Sequence, residues 1–209
     1  MIRDTAAIVL AAGLSRRMGE VNKLLLCVGD DILLRHVVNA CAAVSDQPVT
    51  VVVGYQEDAV KNALSDSNVI FVQNNRFEEG QMTSVDAGLR GAPAASTYLM
   101  ALGDQPKITA DCLSELLDAH HAGAGGRITV PVVGGMRGNP IVIPAAQRAR
   151  MLADPINLGC RKLTQNSPEH VHEFTTSNSS FVDDIDTPAE LALARFQLQP
   201  QRTQTNETP

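Results

Sequence analysis

The stretch Ala7-Ile8-Val9-Leu10-Ala11-Ala12-Gly13-Leu14-Ser15-Arg16-Arg17-Met18-Gly19, followed by Asn22-Lys23-Leu24-Leu25, decides how the rest of the 209-residue chain is read. The unbroken apolar run 7–10 predicts a strand buried on both faces, as parallel strands beneath helices are. Glycine just beyond it lets the backbone turn sharply and approach a ligand closely. Successive N–H groups in such a turn can cradle phosphates. Arg17 and Lys23 bring full positive charge to the same place. The loop is not a P-loop, because Leu24 follows the lysine, and it is not the dinucleotide G-x-G-x-x-G fingerprint. A plain strand-to-helix connection is the competing reading; Gly13, Arg17, Gly19 and Lys23 in combination argue against it.

Outward from this loop, apolar β-branched runs alternate with helical patterns. Strands are expected at 49–53, 69–72, 98–102, 128–133 and 141–143. Helices are expected at 33–44, 57–64, 82–89 and 110–122, the third opened by Thr83 with Asp86 in a capping-box-like order. This β-α-β-α succession predicts an α/β fold: three layers, α/β/α, Rossmann-like, around a mostly parallel central sheet. In such sheets ligands bind beyond the carboxyl ends of the strands. Length and pattern suit one domain over residues 1–198. Residues 199–209 are polar and aperiodic and are expected to be a disordered tail.

Composition narrows the function. A net charge of −6 argues against a nucleic-acid surface, which needs a basic face. An acidic protein can still hold a small polyanion with a few concentrated cations, backbone donors and a metal ion. No apolar run approaches the ~20 residues that span a bilayer, and the N-terminal residues lack a signal-peptide layout. A cytoplasmic protein without membrane partners is expected. Cys27, Cys41, Cys112 and Cys160 are scattered, which suits reduced structural thiols rather than a zinc site or disulfide framework. His120 and His121 close a helix, where the helix dipole accounts for them.

Two acidic positions stand out. Asp104, in Gly103-Asp104-Gln105-Pro106, follows the fourth strand and so faces the ligand crevice. A hard oxygen there suits Mg²⁺, which takes one or two carboxylates plus substrate phosphates. Near the end, Thr187-Pro188-Ala189-Glu190 has the chemistry of a capped helix start. Asp186 just before it is not needed for that cap.

The segment L-A-A-G-x-S-x-R-M-G-x-x-N-K-L-L, residues 10–25, resembles the signature of the molybdenum cofactor nucleotidyltransferases, within the nucleotide-sugar pyrophosphorylase-like superfamily. The cytidylyltransferase branch is the nearest. The resemblance runs over about residues 6–195. It implies that Leu10, Ala11, Ala12, Gly13, Ser15, Arg17 and Lys23 meet the nucleotide. It further implies catalytic roles for Lys23, Arg17 and Asp104, with Asp104 and Asp186 as metal ligands and Asp184 in reserve. Gly80 and Ser84, which open the third helix, correspond to the segment bordering base and ribose.

Arg137-Gly138-Asn139-Pro140 resembles the acceptor-side R-G-H-P motif, with Asn139 where the cytidylyl branch usually has histidine. Asn-Pro is closer to the guanylyl branch, whereas Ala12 argues for the cytidylyl one. Arg161 and Lys162 fall near the acceptor region of the family, where a solvated face is an equal reading.

The implied activity is Mg²⁺-dependent transfer of CMP from CTP (or GMP from GTP) to the phosphate of a molybdopterin-type cofactor, with possible transient contact to a recipient molybdoenzyme. A sugar-phosphate or methylerythritol-phosphate cytidylyltransferase and a non-catalytic cofactor carrier are the alternatives.

Overall fold

The structure, a computed structural model, describes residues 4–14, 22–28, 31–153 and 167–184. Its elements run β1 (Thr5–Ala11), β2 (Cys27–Val28), β3 (Asp31–Ile32), α1 (Leu33–Ala42), β4 (Val49–Val53), α2 (Glu57–Ala63), β5 (Val69–Gln73), α3 (Gln81–Gly91) and β6 (Thr97–Leu102). They continue with α4 (Ala110–Gly123), β7 (Ile128–Val133), β8 (Met136–Arg137), β9 (Ile141–Pro144), α5 (Ala145–Ala153) and β10 (Val171–Thr175). The tail 199–209 lies outside the described residues.

The main sheet has the order β10-β7-β9-β6-β1-β4-β5, with β8 added to β7. β6, β1, β4 and β5 are parallel neighbours, and β10 runs parallel to β7. β9 is antiparallel to both its neighbours.

Strand alternation builds the three layers. Ala7, Val9 and Ala11 point to one face and pack with Leu34, Val37 and Cys41 of α1, Val60 of α2 and Leu113 and Leu116 of α4. Ala6, Ile8 and Leu10 point to the other and pack with Val85 and Leu89 of α3 and Met151 of α5. Every β1 residue is therefore buried, as the unbroken apolar run required. α3 presses on the sheet where it has no side chain: a Cβ at Gly88 would meet Ile8 Cγ2 at 2.7 Å and Val52 Cγ2 at 3.0 Å. No helix among the described residues is long and apolar enough to cross a membrane.

Two local expectations are corrected. α3 starts at Gln81 with Gly80 as its N-cap, at φ +114°. Thr83 therefore sits inside the first turn. Its hydroxyl lies 2.8 Å from Arg76 O and 2.9 Å from Gly80 O, so it has no capping-box partner. Asp86 instead accepts from Arg90 Nε one turn later, at 2.9 Å.

The second correction concerns His120, which was expected to be accounted for by the helix dipole and is instead a buried ring with a hydroxyl partner. Its Nδ1 lies 2.8 Å from Thr129 Oγ1, which is 3.2 Å from His172 Nδ1. One hydroxyl proton serves both contacts, so Thr129 donates to one ring and accepts from the other. Burial, with lesser contributions from His121 and His172, pushes His120 down to about 4. The ring is neutral near pH 7, so its placement owes nothing to a charge–dipole attraction.

A pH dependence follows. An unfolded histidine titrates near ~6.5, so between about 6.5 and 4 the unfolded chain binds more protons than the native one. The contribution of His120 is complete above ~6.5 and is lost as pH falls through that window. It amounts to on the order of 2 kcal/mol. Urea unfolding at pH 7 and pH 4.5 should show this loss in the wild type and a smaller loss in His120→Asn. Equal losses in both proteins would contradict the assignment.

Candidate active site

The strand order changes direction at β1. β4 and β5 lie to one side of it and β6, reached by the α3 crossover, to the other. A crevice opens at such a point, beyond the carboxyl ends of the two diverging strands. Leu10 and Leu102 are register partners there, and Gly103 N–H donates to Leu10 O at 3.1 Å. The loop carrying Ala12 and Gly13 and the loop carrying Asp104 therefore leave the sheet side by side.

Lys23 reaches this place on a 3-10 turn, Lys23–Leu25. Asn22 caps the turn, its Oδ1 accepting from Leu24 N–H at 3.1 Å. Leu24 is buried in the α1-side core and pins the turn there. Gly103 makes room for it: a Cβ at 103 would lie 3.0 Å from Leu34 Cδ1, 3.2 Å from Leu10 O and 3.3 Å from Leu24 Cδ2.

Lys23 Nζ consequently lies 2.6 Å from Asp104 Oδ2, with the two side chains only 13% and 18% exposed. The other carboxylate oxygen, Asp104 Oδ1, is buried and accepts no hydrogen bond among the described residues. A buried oxygen without a donor costs free energy in itself. It is also the hard ligand that a divalent cation takes.

The remaining nominated residues fall into four groups. Leu10, Ala11 and Ala12 have buried side chains, so only their backbone can meet a ligand. Gly13 is exposed, and a Cβ there would touch nothing within 4 Å, so packing does not require this glycine. Gly80 and Ser84 border the start of α3. Ser84 is 5% exposed and its hydroxyl accepts from Asn74 Nδ2 at 3.0 Å, while the same amide reaches Thr83 Oγ1 at 2.9 Å. Ser15, Arg17, Gly19, Arg161, Lys162 and Asp186 lie outside the described residues. Among the described residues no three His, Cys, Asp or Glu side chains form a metal cluster.

Gly134 and Gly135, at φ +56° and +81°, make the β7–β8 hairpin turn. The strand returns through Arg137, Gly138 and Asn139 alongside the 3-10 turn Ser179–Phe181. Gln105 and Asn74 were not singled out by sequence reasoning. Both are buried amides whose partners come from distant segments or a neighbouring helix turn, so spacing carries no signal for them.

Residues 7–172 match the MobA-like NTP transferase domain. The chain belongs to that family. As a member it is a nucleotidyltransferase. It is 26% identical to the molybdenum cofactor cytidylyltransferase of Escherichia coli (strain K12) over 189 residues, covering 90% of this chain and 94% of the relative. It is 32% identical over 124 residues to the bifunctional protein GlmU of Psychrobacter sp. (strain PRwf-1). That alignment covers 59% of this chain and 27% of GlmU, so the chain spans about a quarter of that relative. A solved nucleotidyl transferase from Methanothermobacter thermautotroptrophicus superposes with a TM-score of 0.77 at 22% identity, over 93% of this chain and 97% of that one, which shows a shared fold.

Proposed function

We propose that this nucleotidyltransferase moves CMP from CTP to the phosphate of a molybdopterin-type molybdenum cofactor, releasing pyrophosphate. The observation that carries the catalytic part is the Lys23–Asp104 contact at the carboxyl ends of β1 and β6. The choice of donor and acceptor leans on the E. coli relative, whose name specifies molybdenum cofactor and cytidylyl transfer. Ala12 in the first loop goes with the cytidylyl branch.

An oxygen of the acceptor phosphate attacks the α-phosphorus. The bond from that phosphorus to the oxygen bridging toward the β-phosphate breaks, and pyrophosphate leaves in line. No general base is needed, because a phosphate acceptor is already ionised. Lys23, together with Arg17, sets positive charge against the phosphates where charge grows on the leaving group. The backbone N–H groups after β1 hold the triphosphate in register for the attack. Asp104 fixes the lysine through Oδ2. Its Oδ1, which accepts no hydrogen bond among the described residues, fits a Mg²⁺ ligand, with Asp186 as the proposed second carboxylate. Bound there, Mg²⁺ would supply charge neutralisation on the reacting phosphates. Gly80 and Ser84 are proposed to border base and ribose.

In this reading one catalytic domain spans residues 1–198, works in the cytoplasm and hands its product to a recipient molybdoenzyme. The test is a donor-by-acceptor matrix of pyrophosphate release. CTP and GTP are each offered with molybdenum cofactor, a sugar phosphate and methylerythritol phosphate, with and without Mg²⁺. Release is expected with CTP and the molybdenum cofactor when Mg²⁺ is present. Turnover with GTP or another acceptor alone reassigns the substrates. Tight cofactor binding with no release under any condition marks a carrier.

A further inference from the structure

We propose that Gln105 is a positioning residue for the acceptor side of the site, one amide that locks the Asp104 loop to the Arg137–Asn139 strand return and to the 178–183 segment. The inference rests on the reading of residues 137–140 as the acceptor side.

Gln105 follows Asp104 directly and is 2% exposed. Its Nε2 donates to Asn139 O at 3.0 Å and to Phe181 O at 3.3 Å. Both amide protons are thereby used on main-chain carbonyls from two different segments. Those segments also bind each other, because Asn139 N–H donates to Phe181 O at 2.8 Å. Gly138 permits this approach: a Cβ there would lie 2.3 Å from Phe181 O, too close for any side chain. The return is held on its other side by Gly138 N–H donating to Pro131 O of β7, at 2.8 Å.

A second tie runs from the same loop. Lys107 Nζ lies 2.8 Å from Asp183 Oδ2, which also accepts from Ser179 Oγ at 3.0 Å. Phe181 itself is fully buried, so the carbonyl that both donors share belongs to an anchored residue.

The orientation of the amide follows from these acceptors. Turned over, Gln105 would set its own oxygen against two carbonyl oxygens, with no donor between them. Gln105 Oε1 is buried and accepts no hydrogen bond among the described residues. That cost is tolerated while two donors are needed on the other side of the amide. Asp104, the acceptor return and the 178–183 segment are thus indexed to one side chain. Among the described residues of the loop after β1, Ala12 to Leu14, none shares a hydrogen bond with Gln105. Gln105 therefore sets where the acceptor phosphate stands relative to Asp104.

Gln105→Met keeps the volume and removes both donors. Gln105→Glu keeps the shape and sets a carboxylate against the two carbonyls. Lys107→Met cuts only the second tie. In wild type and each variant, hydrogen–deuterium exchange over 137–140 and 178–183 is measured together with KM for CTP and for the acceptor. The expected result for both Gln105 variants is faster exchange in both segments and an acceptor KM raised about tenfold or more, with the CTP KM within about twofold. Lys107→Met should speed exchange in 178–183 only. Unchanged exchange in both segments, or CTP and acceptor KM rising together, overturns the proposal. If wild-type protein turns over no donor–acceptor pair, the functional reading fails separately. The exchange pattern then decides the junction: loss of protection confined to the two segments upholds it, and uniform or absent loss removes it.

Discussion

Lys23→Ala should lower kcat for pyrophosphate release by about 10²–10³-fold, the scale for removing one preorganised electrostatic contact to a developing charge. The ammonium is held 2.6 Å from Asp104 on a turn pinned by Leu24, so its position is set before substrate arrives. Such preorganisation is what makes a charge effective in the transition state. The KM for CTP should change much less than kcat, which separates a transferase from a carrier that would lose only affinity. Asp104→Asn keeps the shape and removes the charge. It should also cost at least ~10²-fold, because it loosens the lysine and weakens the proposed metal ligand together. Since the two side chains act through one contact, the double variant should lose far less than the product of the single losses. Steady-state kinetics on the four proteins checks this. Near-wild-type kcat in Lys23→Ala, or independent multiplication of the two losses, would remove this pair from the catalytic machinery.

Phe181→Ala should destabilise the protein by about 3–5 kcal/mol, the range for emptying a fully buried phenylalanine site. The ring is fully buried, belongs to the α1-side core and meets Phe174 edge-on at 6.2 Å between centroids. The lost contacts lie far along the chain from β1 and α1, so the segment carrying Phe181 should also loosen. Urea unfolding measures the loss, with Met136→Ser as the reference. Met136 is 60% exposed on the β7–β8 hairpin, and its replacement should stay within ~0.5 kcal/mol. A loss below about 1 kcal/mol for Phe181→Ala would mean the core closes without that ring.

Much of the layered architecture was legible because burial leaves a composition signature. The run 7–10 is apolar throughout and the stretch 49–53 is apolar but for Thr50, neither alternating, and both proved to be central parallel strands. β10 and α5 were missed for the converse reason. Val-His-Glu-Phe-Thr alternates weakly at a sheet edge, and α5 buries only Gln147 and Met151. The start of α3 was misplaced because Thr83 and Asp86 imitate a cap, while a glycine at positive φ and the amide of Asn74 supply the real junction. The dipole reading of His120 failed because its burial and its Thr129 partner come from the packing of α4 on β7, which the local sequence does not mark.

By itself the sequence determined that a glycine-bearing turn with Lys23 follows the first buried strand and that Asp104 ends a later one. Burial and backbone freedom are properties of residue type and local order, and they are written in the chain. Only the tertiary structure decided that β6 lies beside β1, bringing Asp104 onto Lys23 and leaving one carboxylate oxygen without a donor among the described residues. It alone also decided that Gln105 joins three segments. Strand order is set by crossovers and by the competition among packed layers, and main-chain carbonyls are alike at every position. Neither therefore leaves a mark in residue identity.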